Sequence, residues 1–335
     1  MPAELKKLPY QLLVLFVTLA LYLISNYFLA GASSPYNLVP LLFGIFVVVE
    51  LFFFVGAEVK EGAQKHGWKH EIVDTIVALA VAVAIWYGAC FILNTSSPLS
   101  AVVSCSMLPN LQRGDFVVVQ GAPIHAYEIE MTKSEFESIT NDAEVFYDNE
   151  SILVKGSMFS YCVDKKIKGI VSDVCTTFIK TPELFVEKNG PLTYKYARCQ
   201  MSFSDGSLSY QPCVNSVVFK GQEYFANFSH DTIVYASPEN NLYSLIGDIV
   251  HRTYFKINVE GETYYVTRGD NNPIFDIQAY DYTTYKMGNL PIREDYVKGK
   301  VLGRVPILGY FKVLLSGHIQ EDSQCRTQLK FTNVN

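Results

Sequence analysis

Long runs without charge dominate the first third of the chain. No Asp, Glu, Lys or Arg occurs between Leu8 and Val49, and a small polar run at 31–37 divides this stretch in two. Each part is near the roughly 20 residues that a helix needs to cross a bilayer. A third apolar run extends from Thr75 to Leu93. The pattern predicts three transmembrane helices within residues 1–94.

The first apolar run has the length of an anchor. It is longer than the apolar region of a cleaved signal peptide, and no convincing small-residue cleavage site follows it. We therefore expect all three helices to remain in the mature protein.

Lysines are distributed asymmetrically around the three apolar runs. The segment between the first and second runs has no Lys or Arg. The lysines that flank the other ends are Lys6, Lys7, Lys60, Lys65 and Lys69. Because segments rich in Lys and Arg stay on the cytoplasmic side, the N-terminus is expected on the cytoplasmic side of the membrane and everything after Leu93 on the outer side.

The remaining sequence has mostly the pattern of β-strands. The segment 115–120 is rich in β-branched residues. The segment 248–259 alternates, turns at Glu260-Gly261 and returns as 262–267, which is the pattern and turn chemistry of a β-hairpin. This predicts a mainly-β domain on the outer side of the membrane.

A segment as long as a small domain separates these strands. It opens with an acidic stretch at 128–144 that we interpret as helical, and continues with strand-like runs at 151–155 and 216–219. The mixture predicts an inserted α+β subdomain, stable by itself, that serves as a cap or a docking surface.

Cysteine usage agrees with an oxidising compartment. The insertion contains four cysteines, so two disulfides are expected among three possible pairings. They are Cys162, Cys175, Cys199 and Cys213. A zinc site is disfavoured because no Cys-x-x-Cys pair with nearby histidines occurs. Cys90, Cys105 and Cys325 are odd in number, which leaves at least one thiol unbridged.

The net charge is −6 and no basic patch is present, which argues against a nucleic-acid partner. Half of the residues are hydrophobic (49%), and the apolar runs account for much of this fraction.

Three short segments carry the residue types of nucleophilic catalysis. They are Ser104-Cys105-Ser106-Met107-Leu108-Pro109, then His251, then Gly269-Asp270-Asn271-Asn272 followed by Asp276. Ser, His and Asp together supply a nucleophile, a base and an orienting carboxylate. Each residue alone also fits a structural role, in a turn or in the core. Their joint occurrence after a membrane anchor favours catalysis.

Together with a weaker match at 299–309, these segments resemble signal peptidase I, in the branch of archaea and the endoplasmic reticulum where His replaces the bacterial Lys. The resemblance covers roughly 85–122 and 245–316. Cys105 stands where the family usually has Gly.

The resemblance implies a role for each residue. Ser106 is the nucleophile, His251 the general base and Asp276 the triad carboxylate, while Asp270 supports that network. The backbone N–H of Ser106 and the hydroxyl of Ser104 form the oxyanion hole. No metal or cofactor is implied.

The expected fold is therefore membrane-anchored and mainly β. Three transmembrane helices occupy 1–94, a catalytic β domain comprises 95–122 and 245–316, the inserted subdomain comprises 123–244, and a polar tail comprises 317–335.

The expected function is removal of signal peptides from translocated preproteins that carry small residues before the cut. The expected location is the cell membrane, with the endoplasmic reticulum membrane as second choice. The lipid bilayer is a partner, and the protein translocon is a further candidate. Two alternatives stay open: an inactive membrane-anchored or translocon-associated binding protein, and a Ser-Lys peptidase with Lys256 as base.

Strand geometry favours His251 over Lys256 as base. The two residues are five apart, so on a regular strand their side chains point to opposite faces unless a bulge intervenes. The His251 face also carries Ile249 and Ile257 and is expected to look inward.

Overall fold

The structure is a computed structural model that describes residues 7–29, 38–170, 172–306, 308–315 and 323–332. Lys6, the polar run 31–37 and part of the predicted tail lie outside the described residues. The chain divides into two compact units, one containing the N-terminal helices and a short helix near 310–315, the other containing 93–309 and 322–335.

The helices of the described residues differ greatly in length. They are α1 (Lys7–Leu29), α2 (Leu38–His66), α3 (Trp68–Ile92), α4 (Lys133–Glu137), α5 (Met158–Ile167), α6 (Asp173–Lys180) and α7 (Tyr310–Leu315).

Two of these helices contain segments that are long and apolar enough to cross a membrane, Leu42–Lys65 and Trp68–Ile92. No residue of α3 is buried, as expected for a helix whose apolar surface faces lipid. In α1 the apolar stretch found is the shorter Leu12–Tyr22. Two of the three expected spans thus have the required length and composition, and the first span stays a prediction.

Fifteen strands occur in the described residues. They are β1 (Leu99–Ala101), β2 (Phe116–Gln120), β3 (Tyr127–Glu130), β4 (Asp142–Tyr147), β5 (Glu150–Lys155), β6 (Val186–Asn189), β7 (Leu192–Phe203), β8 (Leu208–Phe219), β9 (Gln222–Phe225), β10 (Thr232–Ala236), β11 (Asp248–Val259), β12 (Glu262–Arg268), β13 (Ile292–Arg293), β14 (Val297–Val305) and β15 (Thr327–Lys330). The mainly-β prediction is confirmed.

The first sheet has the strand order β1-β2-β14-β10-β11-β12-β13. Strand β3 pairs in parallel with the second half of β11, beyond the part that pairs with β10. The predicted hairpin is present as β11 and β12. Glu260 and Gly261 both have positive φ (48° and 92°) at its turn, as the tightest hairpin turns require.

The second sheet has the order β5-β4-β6-β7-β8-β9, and β15 pairs with β7. Strands β3 and β10 lie within the predicted insertion 123–244 but belong to the first sheet. Judged by strand pairing, the inserted segment therefore runs from about residue 131 to about residue 226, and the polar tail contributes a strand to the second sheet.

The helix predicted at 128–144 is wrong. Residues there form the end of β3, the five-residue helix α4 and the start of β4. The helix begins only after Thr132, whose side chain accepts a hydrogen bond from Glu135 N in a capping box. Before this helix, Ile129 and Met131 are buried and Glu128 and Glu130 are more exposed. This alternation of period two is typical of a strand.

The two sheets share a hydrophobic core. One cluster of buried residues contains Phe255 and Phe275 next to the first sheet and Tyr194 and Val217 in the second. The Tyr194 and Phe275 ring centroids are 5.9 Å apart. Each sheet therefore buries apolar surface that would face water if the other were absent.

This shared core predicts the result of removing the insertion. We expect a variant in which residues 133–225 are replaced by a short Gly-Ser bridge to lose cooperative unfolding, because Phe255 and Phe275 would lose their cover. Thermal unfolding in detergent, followed by calorimetry and size exclusion, measures this, because both tryptophans lie in α3 and do not report on the sheets. A matched control inserts the same bridge at the exposed turn Asp205-Gly206 and should unfold like the parent. A cooperative, monodisperse deletion variant would restore the view that the insertion is independent.

Three disulfides are present, Cys105–Cys325, Cys162–Cys175 and Cys199–Cys213. The two expected within the insertion join neighbours in sequence, across α5 and α6 and across β7 and β8. Cys90 lies outside these bridges, in agreement with the odd count. Cys105–Cys325 was not expected, and it joins positions 220 residues apart.

Candidate active site

Ser106 lies in the turn that follows β1, and it is 8% exposed. Its backbone carbonyl accepts a hydrogen bond from Asn271 N at 2.7 Å, and the carbonyl of Cys105 accepts one from Asn271 Nδ2 at 3.1 Å. Gly269 packs against the same turn, since a Cβ there would lie 2.6 Å from the Ser106 carbonyl oxygen. The Gly269-Asp270-Asn271 segment thus holds the turn in place.

His251 projects from β11, which is flanked by β10 and β12 in the interior of the first sheet. Its backbone is paired with Ile233. The His251 Nε2 atom lies 2.9 Å from Ser106 Oγ, and the imidazole is buried.

Asp276 completes the arrangement on the other side of the imidazole. Its Oδ2 atom lies 2.7 Å from His251 Nδ1 and also accepts hydrogen bonds from Thr267 Oγ1 (2.6 Å) and Tyr235 Oη (3.1 Å). The amide of Asn289 donates to the backbone carbonyl of Asp276 at 2.9 Å. These bonds position the carboxylate through both its side chain and its main chain.

Tyr235 is a donor that stays protonated. Burial, and next the charge of Asp276, raises the pKa of the Tyr235 phenol well above its ordinary value. A neutral phenol therefore donates to the carboxylate throughout the physiological pH range.

The order of these contacts determines the tautomer. A carboxylate at Nδ1 favours the proton on that nitrogen, so Nε2 carries the lone pair that faces the Ser106 hydroxyl. Ser106, His251 and Asp276, which the sequence places 145 and 25 residues apart, form one continuous buried chain of hydrogen bonds.

Ser104 is the nearest hydroxyl to the predicted nucleophile. Its Oγ atom is 3.1 Å from Ser106 Oγ. Among the hydrogen bonds of the described residues, none uses the Ser106 backbone N–H. The Ser106 backbone N–H therefore remains for an oxygen atom placed beside Ser106, whereas the Ser104 hydroxyl contacts Ser106 Oγ and would have to turn from it to donate there.

Asp270 does not join the contacts of His251 in the described part of the chain. It forms a two-pronged ion pair with Arg252, Nε to Oδ1 at 2.8 Å and Nη2 to Oδ2 at 2.7 Å. Asn110 Nδ2 donates to the same carboxylate at 2.7 Å. Asp270 thus links the segment after Ser106 to strand β11. It stabilises the surroundings of the site and does not contact the imidazole.

Lys256 lies in a different environment from His251. Its Nζ atom pairs with Glu128 Oε1 at 3.0 Å, and Glu128 is exposed. The register of β11 with β12 shifts between Thr253 and Phe255, so side chains on the two sides of this irregularity cannot be assigned to faces by counting positions. The contacts, rather than the spacing, place His251 and not Lys256 beside Ser106.

Sequence reasoning missed several residues that contact the site. Tyr235 and Thr267 bind the Asp276 carboxylate, and Asn110 and Arg252 bind Asp270. Thr267 stands two residues before Gly269, so proximity along the chain could have indicated it. Nothing in the local sequence of β10 distinguishes Tyr235 from a core tyrosine.

Metal ligands do not cluster in the described residues, where no group of three or more His, Cys, Asp or Glu side chains could hold an ion.

No protein-family model matches the sequence. The chain is 32% identical over 88 residues to the signal peptidase complex catalytic subunit sec11 of Schizosaccharomyces pombe. The matched part is 26% of this chain and spans 42% of that relative. This similarity supports a distant relationship to signal peptidase I.

Proposed function

We propose that this chain is a membrane-bound serine endopeptidase that removes signal peptides from translocated preproteins. The observation that carries the proposal is the buried chain of hydrogen bonds from Ser106 Oγ through His251 to Asp276. Its order of groups is that of a serine peptidase triad. The distant similarity to a signal peptidase subunit supports the choice of substrate.

The proposed reaction begins with attack of Ser106 Oγ on the scissile carbonyl carbon. His251 Nε2 takes the hydroxyl proton and later gives it to the leaving amine, while Asp276 holds the imidazole and stabilises its positive charge. A water molecule, activated by the same imidazole, then hydrolyses the acyl-enzyme and releases the second product.

The oxyanion is stabilised by donors of the nucleophile turn. The Ser106 backbone N–H and the Ser104 hydroxyl, 3.1 Å from Ser106 Oγ, are the two candidates. One such donor contributes roughly 3 kcal/mol to lowering the barrier in serine peptidases.

The membrane is part of the proposed function. The two helices of sufficient length would confine enzyme and preprotein to one surface and raise their effective concentration. A relative from a eukaryote favours the second-choice location, the endoplasmic reticulum membrane with the catalytic domain lumenal, over the cell membrane. The preprotein would bear small residues before the cut, and the translocon remains a candidate partner.

Cleavage of a model preprotein tests the proposal. The purified full-length protein in nanodiscs is incubated with a preprotein bearing alanines just before the cut, and the new N-terminus is sequenced. We expect one cut after the small residue, and we expect a fluorophosphonate to phosphonylate Ser106 with loss of fluoride. The matched control is Ser106→Ala, which should neither cut nor label. Labelling without cleavage would contradict the substrate assignment, and the absence of both would favour the inactive binding protein.

A further inference from the structure

The predicted nucleophile has a covalent neighbour. Cys105 directly precedes Ser106 and is bonded to Cys325, with 5.0 Å between the two Cα atoms. That separation is usual for a disulfide. Cys105 is buried, whereas Cys325 is partly exposed. The disulfide thus ties the nucleophile turn to the C-terminal segment 323–332.

That segment is itself fixed on both edges. Strand β15 pairs with β7 on one edge, from Thr327 opposite Phe203 to Lys330 opposite Gln200. On the other edge the side-chain amide of Asn271 acts like a peptide group. It accepts a hydrogen bond from Leu329 N at 2.8 Å and donates to Thr327 O at 2.9 Å.

The same Asn271 amide reaches the nucleophile turn, because its Nδ2 atom also donates to Cys105 O at 3.1 Å. Gln324 Nε2 donates to Asn272 Oδ1 at 2.7 Å. One disulfide and one amide therefore connect segment 323–332, the turn at Ser106 and the turn at Asn271. Segment 323–332 is thus part of the packing around the nucleophile turn.

We propose that segment 323–332 is a positioning element for the nucleophile, and that the Cys105–Cys325 disulfide makes its hold on Ser106 dependent on redox conditions. The inference rests on the proposed function for its catalytic readout. In the described residues Cys325 forms no hydrogen bond with Ser106, His251 or Asp276, so it acts through its bond to Cys105 on the orientation of Ser106.

The physical reason is the narrow tolerance of the Ser106 position. Its Oγ must stay within hydrogen-bond distance of His251 Nε2, from which it is 2.9 Å away. Its carbonyl oxygen is packed against Gly269. A displacement of about 1 Å can cost roughly 100-fold in rate. Reduction by dithiothreitol adds two electrons and two protons to the disulfide, yields the two thiols, and leaves the reagent as its cyclic disulfide. The turn then keeps only its hydrogen bonds.

The test measures phosphonylation of Ser106 by a fluorophosphonate in full-length protein in nanodiscs. We expect Cys105→Ala/Cys325→Ala to label roughly 10- to 100-fold more slowly than the parent, with kcat for preprotein cleavage lowered and KM little changed. The matched control is Cys162→Ala/Cys175→Ala, which removes a disulfide elsewhere and should keep the parental rate per folded molecule. Dithiothreitol should slow the parent and the control but not the first variant. Reoxidation with oxidised glutathione should restore the rate.

A second readout does not depend on catalysis. Hydrogen exchange followed by mass spectrometry should show faster exchange at residues 104–111 when Cys105 and Cys325 are reduced, with thermal unfolding showing that the protein stays folded. Unchanged exchange and unchanged labelling in the folded, reduced protein would overturn the proposal. If the parent never labels but exchange at 104–111 responds to reduction, the proposed function fails while the positioning role stands.

Discussion

Replacing His251 by alanine is expected to lower the rate of preprotein cleavage by roughly 10³-fold or more. The His251 Nε2 atom is 2.9 Å from Ser106 Oγ, and removal of the imidazole leaves no described base at that distance. What remains would be catalysis by the oxyanion hole and by substrate binding. Single-turnover cleavage in nanodiscs measures the effect.

The matched control for this substitution is Lys256→Ala. Lys256 lies on the same strand but pairs with Glu128, so its loss should change the cleavage rate by less than about threefold and remove only a half-exposed ion pair. Both variants are compared after thermal unfolding shows them folded. A large loss in Lys256→Ala with a small loss in His251→Ala would place the enzyme in the Ser-Lys class.

Replacing Asp276 by asparagine is expected to lower kcat by roughly 10⁴-fold, as in the serine peptidase template where this change favours the wrong imidazole tautomer. An amide at position 276 can donate to Nδ1, which moves the proton to Nε2 and removes the acceptor for the Ser106 hydroxyl. Thr267 and Tyr235 donate to the same Oδ2 atom that faces Nδ1, so an amide that turns its N–H₂ group toward the imidazole also loses these two hydrogen bonds. The measurement is kcat together with the rate of fluorophosphonate labelling.

Asp270→Asn should behave differently, although it sits in the same turn region. Asp270 is buried and paired with Arg252, so removing its charge leaves the Arg252 guanidinium with only neutral partners and should lower the free energy of unfolding by about 3 kcal/mol. We expect lower thermal stability with a smaller loss of kcat per folded molecule than for Asp276→Asn. If Asp270→Asn lost more kcat than Asp276→Asn, the assignment of the two carboxylates would be reversed.

Local patterns identified the regular elements well where one physical requirement dominates. The hairpin of β11 and β12 follows from alternation and from a turn whose residues adopt positive φ. The helix prediction for 128–144 was wrong because it rested on acidic composition. Ile129 and Met131 are buried at alternate positions, which is the pattern of a strand. Tertiary packing outweighed a weak helical tendency there.

The candidate site shows the same division. Ser106, His251 and Asp276 were named because the short segments that carry them resemble those of signal peptidase I, and their residue types are those that nucleophilic catalysis needs. The resemblance assigned the triad role to Asp276 and a supporting role to Asp270, but the sequence left open whether Asp270 is catalytic or structural, because that depends on what lies opposite its side chain. In the structure Arg252 faces Asp270, and His251, Thr267 and Tyr235 face Asp276.

The sequence by itself determined the apolar helices and the hairpin, because each depends on neighbours a few positions apart, and its short motifs named the candidate residues Ser106, His251 and Asp276 through their resemblance to signal peptidase I. Only the tertiary structure decided that the inserted segment shares its core with the first sheet, that Tyr235 supports Asp276, and that Cys105 pairs with Cys325 across 220 residues. These are contacts between distant segments, and they depend on how the strands pair and in which register. Local sequence carries no direct record of that pairing.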